Sequence, residues 1–173
     1  MRASVKTIRV VWAALLLIWS SSLVHAQEVH VYLVRHAEKD KLSKDDPALT
    51  ERGQARSMQW VSVFEHTPIA AVYSTDTRRT RDTAEPLAHA NQLDVTLYEV
   101  GSLNAESLLQ MYPDKTVFVV GHSNTTPLLA NKLSGKQLFS ELDESEYGDL
   151  FRVTVSSDPL HSSAERLTIP LAK

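Results

Sequence analysis

Two short apolar segments of this chain each run directly into a histidine. Residues 29–34 lead into Arg35-His36, and residues 116–120 lead into Gly121-His122. Segments of this length that are rich in β-branched residues are typical of strands buried on both faces of a parallel sheet. Because parallel strands end at the same edge of their sheet, we expect His36 and His122 to lie close together there.

From about residue 28 onward, the chain alternates further strands with helices. Strands are predicted at residues 69–73, 94–98, 150–155 and 167–169, with the last two paired as a hairpin. Helices are predicted at 50–66, from Thr77, at 104–111, and between Pro127 in a first turn and Gly135 beyond the end. Pro86 predicts a break near Glu85 and the start of a further helix. The alternation predicts an α/β fold, a three-layer α/β/α sandwich with a mostly parallel central sheet.

Residues 1–26 are typical of an export signal. Three basic residues lie within residues 1–9, and an unbroken apolar run occupies residues 10–19. The small residues Val24 and Ala26 then stand at the positions expected before a cleavage site. That apolar run is shorter than the roughly 20 residues that a helix needs to cross a bilayer. We therefore expect cleavage after Ala26, a domain at residues 27–173, a periplasmic or secreted location and no stable membrane anchor. An uncleaved anchor is the alternative.

Charge and cysteine content exclude several classes of function. The chain has a net charge of -3, which becomes -6 without residues 1–26 because these carry three basic and no acidic residues. An acidic chain is a poor partner for nucleic acid. The chain contains no cysteine, so it has neither a disulfide nor a thiolate nucleophile. The histidines outside the two strand ends lack the spacing of metal ligands, so we expect no metal and no other cofactor.

The residues predicted at the carboxyl edge of the sheet suit a small phosphorylated substrate. The strand at 69–73 is followed by Arg79 in the first turn of a helix, which adds this guanidinium to Arg35, His36 and His122. Guanidinium groups match phosphate oxygens bidentately, and neutral imidazole is a nucleophile at physiological pH. Phosphoryl transfer depends mainly on positioning and on stabilisation of charge, and these four side chains supply both.

Four segments resemble the histidine phosphatase superfamily, the phosphoglycerate mutase-like fold. LVRHAEK at residues 33–39 resembles its signature, and DPALTERGQA at 46–55 resembles the start of its first helix. YSTDTRRTRDTA at 73–84 and VVGHSNT at 119–125 resemble its segments with the second arginine and the second histidine. The resemblance implies that His36 is the nucleophile that becomes phosphohistidine. It also implies that Arg35, Arg79 and His122 form the phosphate pocket.

The resemblance leaves the general acid open. Larger members of the family place a glutamate after the second-arginine segment, and the nearest candidates here are Glu99 and Glu106. We favour Glu99, because it directly follows a strand and strand ends face the site. Glu38 shares a tight turn with the nucleophile, so we expect it to have a structural or orienting role. Arg78 and Arg81 flank Arg79 on a helix and are expected to point away from the site.

The leading hypothesis is therefore an exported phosphomonoesterase that works through a phosphohistidine intermediate. The chain has Lys-Asp-Lys-Leu at residues 39–42 where mutase-type members have an asparagine, which favours a plain phosphatase like the compact bacterial phosphohistidine phosphatases. The sequence indicates neither the identity of the substrate nor the oligomeric state. One alternative is a non-catalytic module that binds a phosphorylated glycan. The other is a phosphotransferase or mutase, which the short connection between Val95 and Val117 disfavours because it leaves little chain for a lid.

Overall fold

The computed structural model describes residues 26–42 and 45–172. The predicted export signal, apart from Ala26, lies outside the described residues and stays a prediction. Within the described residues, no helix has both the length and the apolar character needed to span a bilayer.

The sheet has six strands in the order β3-β2-β4-β1-β5-β6. The first four strands in that order are parallel, β5 is antiparallel to β1, and β6 is antiparallel to β5. The predicted α/β fold with a mostly parallel sheet is confirmed, as is the final hairpin. The elements are β1 Glu28–Arg35, α1 Glu51–Val63, β2 Ile69–Ser74, α2 Arg78–Ala90, β3 Val95–Leu97, α3 Ala105–Met111, β4 Lys115–Gly121, α4 Thr125–Ser134, β5 Asp149–Ser156 and β6 Ser163–Thr168, with a 3-10 turn at Pro159–His161.

Helices cover both faces of the sheet, because successive side chains of the central strands point to opposite sides. Leu33 of β1 belongs to an apolar cluster that includes Leu108 of α3 and Leu129 of α4. Its neighbour Val34 belongs to a second cluster, with Trp60 of α1 and Leu87 of α2. Each fully buried side chain of this kind contributes about 1.5–3 kcal/mol. The three layers therefore hold the ends of β1 and β4 in fixed positions.

The start of α1 is fastened to the segment that follows β1. Thr50 caps the helix, since its Oγ1 accepts a hydrogen bond from the Gly53 amide at 3.1 Å and donates to the Glu38 carbonyl at 3.2 Å. A Cβ on Gly53 would lie 2.2 Å from that same carbonyl oxygen. Only glycine allows α1 to approach the chain so closely, two residues after His36.

Helix α2 spans Arg78–Ala90 without a break and contains Pro86 in its interior. The predicted break near Glu85 is therefore wrong. Proline leaves the carbonyl of Asp82 without its helical partner, which costs about 3 kcal/mol. Pro86 is only half-buried and follows the exposed Glu85, so water can reach this side of the helix. The opposite face, with the buried Ala84 and Leu87, packs against the sheet and offsets the loss. Strand β3 is also shorter than predicted, because it spans only Val95–Leu97.

Candidate active site

His36 follows β1 and is held by two backbone carbonyls, one through its own amide and one through a ring nitrogen. Its amide donates to the Gly121 carbonyl at 2.9 Å, which joins the end of β1 to the end of β4. Its Nδ1 lies 2.8 Å from the Ala37 carbonyl oxygen. Because a carbonyl only accepts, Nδ1 carries the proton and donates. The lone pair is therefore on Nε2, and the structure identifies this nitrogen as the one that can attack.

The imidazole of His36 is neutral in the free site. Burial lowers its pKa to about 3, because the charged form loses its hydration. The Ala37 carbonyl favours the protonated ring, but Arg35, Arg79 and His122 add positive charges that lower the pKa further. At physiological pH the ring is therefore unprotonated, which is the state that a nitrogen nucleophile needs.

The second histidine lies beside the first, as predicted from the two strand ends. The ring centroids of His36 and His122 are 5.6 Å apart. Nδ1 of His122 lies 3.5 Å from Nη2 of Arg79, and Nε2 lies 3.0 Å from Oγ1 of Thr75. A guanidinium only donates, so Nδ1 accepts and Nε2 carries the proton toward Thr75.

His122 is also neutral in the free site. Burial lowers its pKa to about 4, and Arg79, Lys39 and Arg35 reinforce this effect. In the free protein, His122 is therefore not a protonated donor for a phosphate oxygen. A dianionic phosphate in the site would favour the protonated ring, because opposite charges raise the pKa of an imidazole.

A set of buried hydroxyl groups, which we call the threonine cluster, consists of Thr75, Thr80 and Thr83. Thr75 Oγ1 donates to Thr80 Oγ1 at 3.1 Å, and Thr80 Oγ1 in turn donates to the Thr75 carbonyl at 2.7 Å. Thr83 Oγ1 accepts from the Ala37 amide at 2.9 Å and donates to the Arg79 carbonyl at 2.7 Å. The cluster thereby ties the first turns of α2 to the segments that follow β1 and β2, and it fixes the backbone of Arg79.

Arg79 lies between His122 and a cleft of about 520 Å³. Its Nη1 is 3.9 Å from Asp46, too far for a hydrogen bond, and within the described residues its buried Nε has no partner. Donors of this guanidinium are thus available to an oxyanion. The cleft is lined by Lys39, Asp40, Lys41, Asp46, Pro47, Arg79 and Glu144.

Arg35 lies next to the nucleophile, but its terminal nitrogens already have partners. Its Nη1 donates to the carbonyls of Asp143 and Glu146 at 3.0 and 2.9 Å, and its Nη2 donates to the Glu144 carboxylate at 2.8 Å. The guanidinium carbon lies 4.4 Å from the centre of the Tyr147 ring. We call residues 143–147 the acidic segment. Arg35 can therefore bind phosphate with its terminal nitrogens only when Glu144 moves away, and its predicted role stays a prediction.

Three of the four sequence motifs fall within one family match. Residues 31–100 match the model of the histidine phosphatase superfamily, branch 1. The second-histidine motif lies outside this match, and the structure brings its His122 to the same site as His36 and Arg79. Over residues 31–100 the chain is similar to the histidine phosphatase superfamily, and its fold is phosphoglycerate mutase-like.

Solved structures of histidine phosphatases share this fold over most of the chain. A phosphohistidine phosphatase SixA from Nakamurella multipartitia is 24% identical with a TM-score of 0.54, covering 84% of this chain and 98% of that chain. A mycobacterial glucosyl-3-phosphoglycerate phosphatase is 15% identical with a TM-score of 0.62, covering 86% and 100%. A protein histidine phosphatase SixA complexed with tungstate is 15% identical with a TM-score of 0.63, covering 80% and 96%. No curated protein is similar enough in sequence to count as a relative.

The two glutamates that the sequence offers as the general acid do not lie where a general acid is expected. Glu99 follows β3 and Glu106 lies in the first turn of α3, and both are exposed. Within the described residues, neither side chain contacts His36, Arg79 or His122. The assignment of Glu99 as the acid stays a prediction that these contacts do not support.

The predictions for the flanking charged residues are confirmed. Glu38 pairs with Arg52 and Arg56 at 3.0 and 2.8 Å, and these arginines outweigh burial and lower the pKa of its carboxyl. It therefore holds α1 in place. Arg78 pairs with Asp82 at 3.6 Å, and Arg81 pairs with Asp76 and, at 4.0 Å, with Asp46 at the cleft, so both have carboxylate partners and neither contacts an imidazole within the described residues.

Glu144 is a residue of the candidate site that the sequence did not reveal. Its carboxylate lines the cleft and contacts both Arg35 and the Ser123 hydroxyl, which donates to it at 2.7 Å. The Ser123 hydrogen bond lowers the pKa of this carboxyl, and the positive charges of Arg35 and Lys39 act in the same direction against burial. Glu144 lies 109 residues from Arg35 in a segment without helical or strand periodicity, so no local pattern indicates the contact.

The part of the chain that the structure describes contains no candidate metal site. Within residues 26–42 and 45–172, no three His, Asp or Glu side chains are grouped so that they could hold a metal ion. Arg35 and Arg79 supply positive charge to both imidazoles, and Lys39 adds positive charge near His122.

Proposed function

We propose that this protein is a histidine phosphatase that hydrolyses a small phosphomonoester through a phosphohistidine formed on Nε2 of His36. The observation that carries the proposal is the hydrogen bond of 2.8 Å from Nδ1 of His36 to the Ala37 carbonyl. That bond leaves Nε2 as the basic nitrogen of a neutral ring, next to His122 and within the field of Arg79. The tungstate complex of a structural neighbour, an analogue of a phosphate complex, fits a site of this kind.

The first chemical step forms the bond between phosphorus and nitrogen. The Nε2 lone pair attacks phosphorus in line with the leaving oxygen, and the bond from phosphorus to that oxygen breaks with its electron pair. Arg79 donates to the equatorial phosphate oxygens, where negative charge is spread in the transition state. The Nδ1 proton stays on the ring and keeps its bond to Ala37, which stabilises the positive charge that develops on His36.

The second step releases inorganic phosphate. Water attacks phosphorus, the bond from phosphorus to Nε2 breaks, and the electron pair returns to the ring. The attacking water gives up its proton to solvent. Because His36 ends in its starting tautomer, the backbone bond to Ala37 serves both steps without rearrangement.

Hydrolysis of an activated aryl phosphate by the purified protein tests this proposal. We expect His36→Asn to lower kcat/KM by about a thousandfold or more, because the nucleophile itself is lost. His66→Asn removes an exposed histidine away from the site and serves as the matched control. If both variants retain wild-type turnover, the proposal is wrong. Phosphate binding by wild-type protein without any turnover would instead indicate a non-catalytic binding module.

We propose further that the enzyme works outside the cytoplasm, in the periplasm or as a secreted protein. The support is the pattern of residues 1–26, in which basic residues precede an apolar run and a site with small residues. N-terminal sequencing of protein recovered from a periplasmic or extracellular fraction should give a chain that begins at Gln27. Recovery only from the cytoplasm, with residues 1–26 still attached, would contradict export.

A further inference from the structure

Thr75 is a buried residue directly after β2, and its hydroxyl reaches one of the two imidazoles of the site. Its Oγ1 lies 3.0 Å from Nε2 of His122. The backbone of His122 is held separately, because its amide donates to Thr125 Oγ1 at 3.0 Å. The contact with Thr75 therefore acts on the ring of His122 and can set which of its nitrogens carries a proton.

The direction of this hydrogen bond follows from a count of hydroxyl protons. Thr80 Oγ1 lies 2.7 Å from the Thr75 carbonyl and 2.9 Å from the Thr77 carbonyl. Because a carbonyl only accepts, the single hydroxyl proton of Thr80 points to these oxygens. At its contact of 3.1 Å with Thr75 Oγ1, Thr80 therefore accepts, and the hydroxyl proton of Thr75 is used there. Thr75 can then only accept from His122, so Nε2 of His122 carries a proton.

This count fixes the tautomer of His122 without relying on the longer contact to Arg79. Nδ1 of His122 holds the lone pair and lies 3.5 Å from Nη2 of Arg79, the guanidinium with donors available to an oxyanion. His36 has the opposite arrangement, since its Nδ1 is protonated and its Nε2 is free. The two rings, whose centroids are 5.6 Å apart, thus differ in the nitrogen that can accept a proton.

We propose that Thr75 is a positioning residue that holds His122 with the lone pair of Nδ1 toward the phosphoryl group. The inference rests on the proposed function. When a phosphate group binds beside Arg79, Nδ1 takes up a proton from water or from a phosphate monoanion and forms an N–H···O bond to a phosphate oxygen. The ring then has two N–H donors, one for phosphate and one for Thr75. Hydrogen bonds from a charged donor are the stronger kind, so Thr75 stabilises the imidazolium that phosphate induces.

The site offers the Nε2 proton no substitute for the Thr75 hydroxyl. Within the described residues, Nε2 of His122 has no other hydrogen-bond partner. A valine at position 75 would leave this N–H without an acceptor, which costs more free energy than the bond itself contributes. Moving the proton to Nδ1 would instead point that N–H at the guanidinium of Arg79, which is also a donor. The hydroxyl of Thr75 is therefore the group that makes the observed tautomer favourable.

Nitrogen NMR of protein with isotopically labelled histidines reads this tautomer directly. The signals of His122 are identified by their loss in His122→Asn. In the free wild-type protein at neutral pH, we expect the proton on Nε2 and a lone pair on Nδ1. Saturating inorganic phosphate should protonate Nδ1 as well. In Thr75→Val, we expect part of the population to carry its proton on Nδ1, and phosphate should protonate the ring less.

Hydrolysis of phenyl phosphate measures the consequence for turnover. We expect Thr75→Val to lower kcat/KM by about ten- to hundredfold, the usual effect of losing a hydrogen bond to a charged group. Thr75→Ser keeps the hydroxyl and should restore both the wild-type tautomer and most of the activity. Thr154→Val is the matched control, because its hydroxyl also contacts a histidine, at 3.3 Å from Nδ1 of His30, but near the amino-terminal end of β1.

The outcomes separate this inference from the proposed function. If wild-type protein turns over phenyl phosphate in a manner that depends on His36, but free His122 carries its proton on Nδ1, the inference fails and the proposed function stands. The inference also fails if Thr75→Val keeps the wild-type tautomer and activity, or if Thr75→Ser loses as much activity as Thr75→Val. If wild-type protein gives no turnover, the proposed function fails, whatever the tautomer of His122.

Discussion

The two sides of the phosphate site are built in opposite ways. On one side, the threonine cluster lies buried and links Arg79 and His122 to the ends of β1 and β2 through hydroxyl and backbone hydrogen bonds. On the other side, the acidic segment holds Arg35 through Glu144, whose side chain is 67% exposed. The first side belongs to the packed core, whereas the second belongs to a loop between α4 and β5.

The difference shows which half of the site is ready for substrate and which half must rearrange. Breaking a buried hydrogen bond in a low dielectric costs more free energy than breaking one in water. The threonine cluster therefore keeps the backbone of Arg79 in position between turnovers. The Arg35 side chain is buried, but its partner Glu144 is exposed to water, so an incoming phosphate dianion can replace Glu144 on Arg35. The acidic segment thus places a carboxylate where the phosphate is expected to bind.

The largest effect in this comparison is expected from Arg79→Ala. The substitution removes the available guanidinium from the preorganised side, and we expect kcat/KM for an aryl phosphate to fall by about 10²- to 10³-fold. Steady-state kinetics measures this loss. Arg78→Ala is the matched control, because Arg78 is the neighbouring residue and pairs with Asp82 at the surface. Equal effects of the two substitutions would show that Arg79 is not a ligand of the phosphate.

A smaller effect of opposite sign is expected from Glu144→Gln. The amide keeps the shape of the side chain but no longer pairs with Arg35 as an anion, so phosphate meets less competition. We expect the inhibition constant of inorganic phosphate to fall by about two- to fivefold, because the competing carboxylate is the exposed partner of the pair and is partly screened by water.

The control for Glu144→Gln is Glu141→Gln, which changes the net charge equally at an exposed position outside the cleft. If Glu144→Gln weakens phosphate binding while Glu141→Gln has no effect, Glu144 positions Arg35 for phosphate instead of competing with it.

The buried histidines also predict how stability depends on pH. Burial lowers the pKa of His36 to about 3, whereas the ordinary pKa of a histidine is 6.5. Between these values the unfolded chain binds a proton that the folded chain does not, so the free energy of unfolding decreases as the pH falls through this window. His36→Asn removes the contribution, and its melting temperature should decline less steeply than that of wild type between pH 7 and 4.

Thermal unfolding followed by circular dichroism at several pH values checks this difference, which we expect to be a few degrees at the acidic end. His66→Asn controls for the loss of an exposed imidazole. Parallel curves for His36→Asn and wild type would contradict a buried, neutral His36.

Sequence patterns predicted the elements that are regular and buried. The apolar strands before His36 and His122 placed both rings at one edge of the sheet, and the first-turn position of Arg79 placed its guanidinium there too. The prediction for Pro86 failed because a local rule ignored the packing of Leu87 and Ala84, which holds α2 together. The contact between Glu144 and Arg35 had no sequence pattern, because it depends on where a loop folds back after 109 residues.

The central claim is that Nε2 of His36 receives the phosphoryl group. Rapid acid-free quenching of the enzyme during turnover of an aryl phosphate, followed by mass spectrometry and phosphorus NMR of the denatured chain, tests it directly. We predict an acid-labile, alkali-stable phosphate on the peptide that contains His36, attached through Nε2. Phosphate attached to Nδ1 of His36 or to His122, or steady turnover without any phosphorylated histidine, would contradict the account.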